Sequence, residues 1–219
     1  MNEKIEGIIF DLDGVICSTD QYHYQAWKSL ADSLGIYFDK KINDRLRGVS
    51  RTESLEIVLE NSDKVYSDEQ KATLAERKND MYVQLIRQMT PDDLSDDVRM
   101  TLQELRRRGY RLAIGSSSKN TRTILRQIGL GDFFDAVSDG TNITHSKPDP
   151  EVFLKAAEML RLSAGSCIVV EDAHAGIEAA ANGRFYSAGI GEAAADPRVT
   201  WPIRKISDLL GIVNSQCRS

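Results

Sequence analysis

The chain has 219 residues, 41% hydrophobic and 28% charged, with five prolines; this is the make-up of a chain with its own apolar core, and it excludes disordered, collagen-like and disulfide-stapled classes. Twenty-eight basic and 33 acidic residues leave a net charge of −5, so no whole-chain electrostatic footprint points to nucleic acid or to an anionic membrane. Cys17, Cys167 and Cys217 are odd in number and widely spaced, which fits a reducing cytoplasm. The first ten residues carry two glutamates and too short an apolar run for a signal peptide, and nothing approaches the ~18 apolar residues of a membrane span.

In chain order, Ile8-Ile9-Phe10 is a short apolar run ending at Asp11-Leu12-Asp13-Gly14, which predicts a buried strand stopping in a polar turn. From residue 17 to about 93 the pattern is helical with no convincing strand. Tyr24, Trp27, Leu30, Ala31 and Leu34 form one stripe that stops at Gly35, and Ser50-Arg51-Thr52-Glu53 and Ser67-Asp68-Glu69-Gln70 are capping boxes that would open two more helices. Leu74, Met81 and Leu85 form a further stripe with Lys78 on it. Beyond residue 95, apolar runs at 110–115, 136–138, 167–170 and 186–190 alternate with helical patterns. One carries Val98, Leu102 and Leu105 and stops at Arg106-Arg107-Arg108-Gly109, a solvated helix end; another follows Asp149 as N-cap and Pro150 as first helical residue. Ser207, Leu209 and Leu210 suggest a last short helix. Near-continuous apolarity in the strands predicts a doubly wound parallel α/β sheet covered on both faces, with an all-helical insert placed after the first strand.

Four strand ends carry chemistry. Asp11 and Asp13, two apart at the carboxyl end of a strand, can point the same way, and Gly14 lets the chain turn sharply. Ser116, Ser117 and Ser118 offer hydroxyls and amides to an anion ahead of Lys119 and Asn120. Lys147, followed by Pro148, has a stiff mounting. Glu171 and Asp172 leave the next strand as hard oxygen ligands suited to Mg²⁺. Taken singly, each has a bland reading as a turn or a surface residue. His145 and His174 have no partner at ligand spacing and read as structural or rim residues, and Cys17 reads as a small packing residue.

Taken in order, Ile8 to Gly14, Leu112 to Ser116, Lys147-Pro148 and Val169 to Asp172 resemble the four motifs of the haloacid dehalogenase superfamily, and the helical insert resembles its α-helical cap. Segments Asp11 to Thr19, Tyr22 to Trp27, Arg47 to Arg51 and Arg77 to Asp80 look like those of the β-phosphoglucomutase family within it, over the chain up to about residue 191. The resemblance implies a Rossmann-like core at 1–16 and 94–219 and a helical cap at 17–93. It implies Asp11 as phosphoryl-carrying nucleophile and Asp13 as general acid and base. Mg²⁺ would be held by Asp11, the carbonyl of Asp13, Glu171 and Asp172, and Ser116 and Lys147 would grip the phosphoryl group. Ser117, Ser118, Lys119 and Asn120 would border the site. From the cap, His23, Trp27, Arg47, Gly48, Val49, Ser50, Arg51 and Lys78 would meet the sugar or a distal phosphate, with Thr19 as hinge. The implied enzyme is a phosphomutase interconverting β-D-glucose 1-phosphate and D-glucose 6-phosphate, with glucose 1,6-bisphosphate as activating intermediate; because no exposed apolar stripe stands out in the sequence, a monomer is expected.

Physical reasoning weighs on several of these. Lys78, on the apolar stripe, either snorkels or points inward to serve a site. Arg51 beside a helix N-terminus is unfavourable unless an anion is near. Trp27 belongs first to the cap core, and His23 alone would read as a surface residue. Two rival functions remain: a sugar-phosphate phosphatase, in which water attacks phospho-Asp11, and a noncatalytic sugar-phosphate binding module, which would lack a catalytic carboxylate.

Overall fold

A computed structural model of the chain describes residues 4–46 and 50–216. Contact density divides it into two compact units, residues 1–18 with 90–219, and residues 19–89.

The first unit is built on a six-stranded parallel sheet: β1 (Gly7–Phe10), β2 (Arg111–Gly115), β3 (Ala136–Ser138), β4 (Cys167–Glu171), β5 (Tyr186–Gly189) and β6 (Trp201–Pro202), in the spatial order β3-β2-β1-β4-β5-β6. Ile8, Ile9 and Phe10 have no exposed surface, as expected of a strand covered on both faces. The covering helices are α5 (Asp96–Arg107), α6 (Thr121–Gln127), α7 (Glu151–Leu160), α8 (His174–Asn182) and α9 (Leu209–Gln216). Val98, Leu102 and Leu105 of α5 are buried, as their spacing requires. The strand order reverses between β1 and β4, so a crevice opens at the carboxyl ends of those two strands, where doubly wound sheets bind ligands.

Three local expectations are corrected. Helix α7 starts at Glu151 with Pro150 as its N-cap residue; the proline ring fixes φ but leaves no side chain to cap with, and Asp149 instead accepts a hydrogen bond from the Glu151 N–H at 2.9 Å. Strand β6 was not foreseen, because two residues give no periodicity to read. The basic triplet does more than end a helix in solvent: Arg108 clasps Glu104 and donates to the Asn214 side chain at 2.7 Å, tying α5 to α9.

The second unit, among the described residues, is all helical: α1 (Asp20–Leu34), α2 (Lys40–Asp44), α3 (Arg51–Leu59) and α4 (Asp68–Ile86). Both capping boxes form, with the Ser50 and Ser67 hydroxyls accepting from the N–H groups of Glu53 and Gln70. Trp27, Leu30 and Ala31 pack with Phe38, Leu55, Val58 and Leu74 into one core. The buried stripe of α4 is Leu74, Lys78, Tyr82 and Ile86. Met81 and Leu85, expected on it, are only half-buried, because spacing of four rather than three residues keeps the inward face in register here. No helix among the described residues is long and apolar enough to cross a membrane.

Candidate active site

In the first unit, strand register levels the chemistry. Phe10 pairs with Ile114 on one side and Val170 on the other, so Asp11, Gly115 and Glu171 leave the sheet at the same height. The Asp11 N–H continues the ladder to the Val170 carbonyl at 2.9 Å. Asp11 and Glu171 are buried, at 8% and 1% exposure. Lys147, preceding a cis peptide bond to Pro148, brings its ammonium onto both carboxylates and over the Phe153 ring, 4.7 Å from its centroid.

Two glycines make room for the acids. Gly14 has φ +83°, and a Cβ there would run into the Asp172 carboxylate, so both its backbone and its surroundings demand glycine. At Gly176, in the first turn of α8, a Cβ would run into the Glu171 carboxylate. The sequence reading missed Gly176; its signal was a small residue five positions past a strand-end acid. Glu171 Oε2 also accepts from the N–H groups of Asp172 and Ala173 at 3.0 and 3.1 Å, which orients the carboxylate.

Candidate ligand oxygens of Asp11, Glu171 and Asp172 lie within 4.8 Å of one another. Three carboxylates against one ammonium leave two negative charges uncompensated when all are ionised. Burial pushes the Asp11 carboxyl well up; Lys147 pulls it down, and Glu171 and Asp172 push it up. Asp172 is pushed up to about 7 by burial, then by Glu171 and Asp13. Burial opposes the charge on Lys147, but Asp11 and Glu171 outweigh it and raise the ammonium's pKa. A buried, crowded, all-oxygen donor set with excess negative charge fits a hard divalent cation such as Mg²⁺. Asp13 is half-buried beside this trio, its backbone bridged to Cys17, and its side chain is not one of the three grouped donors. Cys17 is buried, and burial pushes its thiol up, so it packs rather than reacts.

The segment after β2 is a hydroxyl-braced loop. Ser116 is buried and its Oγ accepts from the Ser118 N–H at 3.2 Å; Ser118 Oγ in turn accepts from the Asn120 N–H at 3.2 Å, and the Thr121 hydroxyl donates to the Ser118 carbonyl at 2.8 Å. Ser117 and Lys119 are exposed, and Asn120 stands at the start of α6. His145 does have neighbours: it groups with Asp149 and Glu151, but Glu151 Oε2 already accepts from the Thr144 and His145 N–H groups, which ties the preceding loop to the start of α7. His174 pairs through Nδ1 with Asp196 at 2.8 Å.

In the second unit, Lys78 is 3% exposed. Its ammonium lies 2.8 Å from His23 Nδ1 and over the rings of Trp27 and Tyr82, 4.7 and 4.8 Å from their centroids. An ammonium can only donate, so it fixes His23 as the tautomer with its proton on Nε2. Burial lowers the proton affinity of His23, and the cations Lys78 and Arg51 lower it further. The His23 ring also lies against Tyr82, with centroids 4.0 Å apart. Tyr82 was missed from the sequence; its position one turn after Lys78 was the available signal. Trp27 belongs to the core of the unit, as expected. Arg51 is the first residue of α3, and Ser50 is engaged as its cap. Thr19 is buried at the start of α1, its carbonyl accepting from the Tyr22 and His23 N–H groups at 2.9 and 3.0 Å. Arg47, Gly48 and Val49 lie outside the described residues.

The chain is similar to known proteins. The profile of the haloacid dehalogenase-like hydrolase family matches residues 5–184. A β-phosphoglucomutase of Bacillus subtilis (strain 168) is 39% identical over 207 residues, covering 94% of this chain and 92% of its own. A phosphorylated carbohydrates phosphatase of Thermotoga maritima is 30% identical over 179 residues, covering 80% of each chain. The crystal structure of a β-phosphoglucomutase from Clostridium difficile superposes with a TM-score of 0.89 at 36% identity, covering 98% of this chain and 97% of that one.

Proposed function

The chain belongs to the haloacid dehalogenase-like hydrolase family, and from that premise we propose that it works in the cytoplasm, as a monomer, as a Mg²⁺-dependent phosphomutase interconverting β-D-glucose 1-phosphate and D-glucose 6-phosphate. The observation that carries the reading is the cluster of buried Asp11 and Glu171 with half-buried Lys147 and Asp172 at the sheet's switch point, in a chain whose likeness to a β-phosphoglucomutase runs through both units.

In the cycle, an Asp11 oxygen carries the phosphoryl group. The sugar's 6-hydroxyl attacks phospho-Asp11; a P–O bond forms to the sugar, the P–O bond to Asp11 breaks, and the hydroxyl proton passes to Asp13. The glucose 1,6-bisphosphate so formed turns around. Asp11 then attacks the phosphorus at the 1-position, and Asp13 returns the proton to the departing sugar oxygen. Lys147 and Ser116 hold the oxygens of the transferring group. Asp11, the Asp13 carbonyl, Glu171 and Asp172 would hold Mg²⁺, which would supply charge neutralisation to those oxygens when bound. Ser117, Ser118, Lys119 and Asn120 border the group. His23, Trp27, Ser50, Arg51 and Lys78, with Arg47, Gly48 and Val49, read the sugar and its second phosphate, and Thr19 serves as hinge.

A sugar-phosphate phosphatase is the second reading, favoured by the Thermotoga maritima relative. The two differ only in whether sugar or water accepts from phospho-Asp11. Supplying β-glucose 1-phosphate, Mg²⁺ and a trace of the 1,6-bisphosphate, and following glucose 6-phosphate and free phosphate together, separates them. Glucose 6-phosphate with little free phosphate supports the mutase; free phosphate alone overturns it.

A further inference from the structure

The first unit buries two carboxylates that phosphoryl transfer does not use, Asp139 and Asp196. Asp196 is 5% exposed and lies past the end of β5. One of its oxygens accepts from the backbone N–H and the Nε of Arg198, each at 2.9 Å, and the other accepts from Arg198 Nη2 at 2.8 Å and meets His174 Nδ1 at 2.8 Å. Arg198 extends the link through Nη1 to Glu178 at 2.9 Å. His174 and Glu178 stand one turn apart on α8, the helix that begins two residues after Asp172. Arg198's hydrogen bonds hold the Asp196 carboxyl well below the usual carboxylate range, so the carboxylate is ionised at neutral pH.

The backbone ahead of Asp196 reaches the acids from another side. The Ile190 N–H donates to the Glu171 carbonyl at 2.8 Å, the Ala193 N–H to the Asp172 carbonyl at 3.1 Å, and the Asp196 N–H to the Ala193 carbonyl at 3.1 Å. Residues 190–198 thus form a strap. One part grips the main chain of Glu171 and Asp172; the other is pinned by charge-assisted hydrogen bonds to the helix that follows them. Only the first of the two main-chain bonds continues the β4–β5 ladder, whose last pair is Glu171 with Gly189. The bond to the Asp172 carbonyl depends on the strap's own course, which Asp196 and Arg198 set.

We propose that Asp196 and Arg198 are positioning residues for the divalent-cation site, acting through the strap to hold Asp172 and Glu171 where both carboxylates reach one ion. Mg²⁺ demands near-ideal octahedral geometry, so a small displacement of either acid weakens binding more than it weakens the fold. The inference rests on the reading of Asp11, Glu171 and Asp172 as the Mg²⁺ ligands.

The test is calorimetric titration of the full chain with MgCl₂, without substrate and well below the melting temperature of each metal-free variant. The unaltered chain, Arg198→Ala, Asp196→Asn and Glu171→Gln are compared. Arg198→Ala and Asp196→Asn are expected to weaken Mg²⁺ binding about tenfold or more, the usual scale for partners behind metal ligands. Arg198→Lys, which keeps the charge but loses the planar fork, should lose part of that affinity, and it decides the matter if Asp196→Asn fails to fold. Mg²⁺ affinity of folded Arg198→Ala and Arg198→Lys within about twofold of the unaltered chain, while Glu171→Gln loses binding, overturns the strap's role and leaves the ligand assignment standing. Glu171→Gln binding as tightly as the unaltered chain overturns the ligand assignment itself, and the strap's role with it.

Discussion

Each unit holds a lysine largely out of solvent, Lys147 in the first and Lys78 in the second, and the two are held by opposite means. Lys147 lies between the carboxylates of Asp11 and Glu171; Lys78 lies against an imidazole nitrogen and two aromatic faces. Carboxylates cancel an ammonium's charge, whereas ring faces and a neutral imidazole stabilise it without discharging it. The first arrangement keeps a negative cluster assembled, which on the proposed function would take a cation and a phosphoryl group. The second sets an ammonium among ring faces in a unit whose Arg51 stands at a helix N-terminus, and on the proposed function these cations would recognise a second phosphate. On the proposed function, the same residue type would balance the reacting centre in one unit and read substrate in the other.

The largest effect should come from removing the carrier. Asp11→Asn should lower turnover roughly 10⁴-fold or more in the coupled glucose 6-phosphate assay, since an amide cannot accept the phosphoryl group. Lys147→Met should follow, lowering kcat about 10²- to 10³-fold as the transferring oxygens lose their fixed cation. If the two lysines were interchangeable in kind, Lys78→Met would cost as much; it should instead lower kcat/KM about tenfold, mainly through KM, as loss of a remote phosphate contact does. Arg51→Ala should act in the same direction, reducing mutase turnover far more than hydrolysis of a small phosphate monoester measured in parallel.

The contrast also has a pH signature. Because burial lowers the proton affinity of His23, the unfolded chain binds a proton near pH 6.5 that the folded chain refuses. This group's contribution to stability therefore falls as pH drops below about 6.5, at up to about 1.4 kcal/mol per pH unit, until folded His23 itself protonates. Denaturant midpoints across that range, with the His23 ring resonance followed by NMR, check both the sign and the position, and Lys78→Met should raise the folded-state titration. The smallest effect is local: Ser67→Ala removes an N-cap at the start of α4 and should destabilise the chain by about 1 kcal/mol in denaturant melts.

The part of the site that stood in the sequence is the part that terminates apolar runs. Asp11, Ser116, Glu171 and Asp172 each follow a strand of Ile, Val, Leu or Ala, and the parallel register then places them together, so order along the chain was enough. Helix starts were equally legible where a capping box announced them, at Ser50 and Ser67. What escaped acts through distant partners. Gly176 matters because of the Glu171 carboxylate, Tyr82 because of His23 and Lys78, and Asp196 because of His174 and Arg198. The spacing signals of Gly176 and Tyr82 gain meaning only once those partners are known, and Asp196 has no local pattern that differs from an ordinary loop. Strand β6 escaped for a related reason: its two residues pair only because the strap carries them back alongside β5.

The most direct test of the account is a phosphoryl chase. The enzyme is labelled with radioactive glucose 1,6-bisphosphate, the modified residue is mapped, and the labelled enzyme is mixed with β-glucose 1-phosphate or with buffer. The account predicts label on Asp11, none on Asp11→Asn, and rapid movement of the label onto sugar when β-glucose 1-phosphate is present. Label on another residue, or release as free phosphate with sugar present, would contradict it.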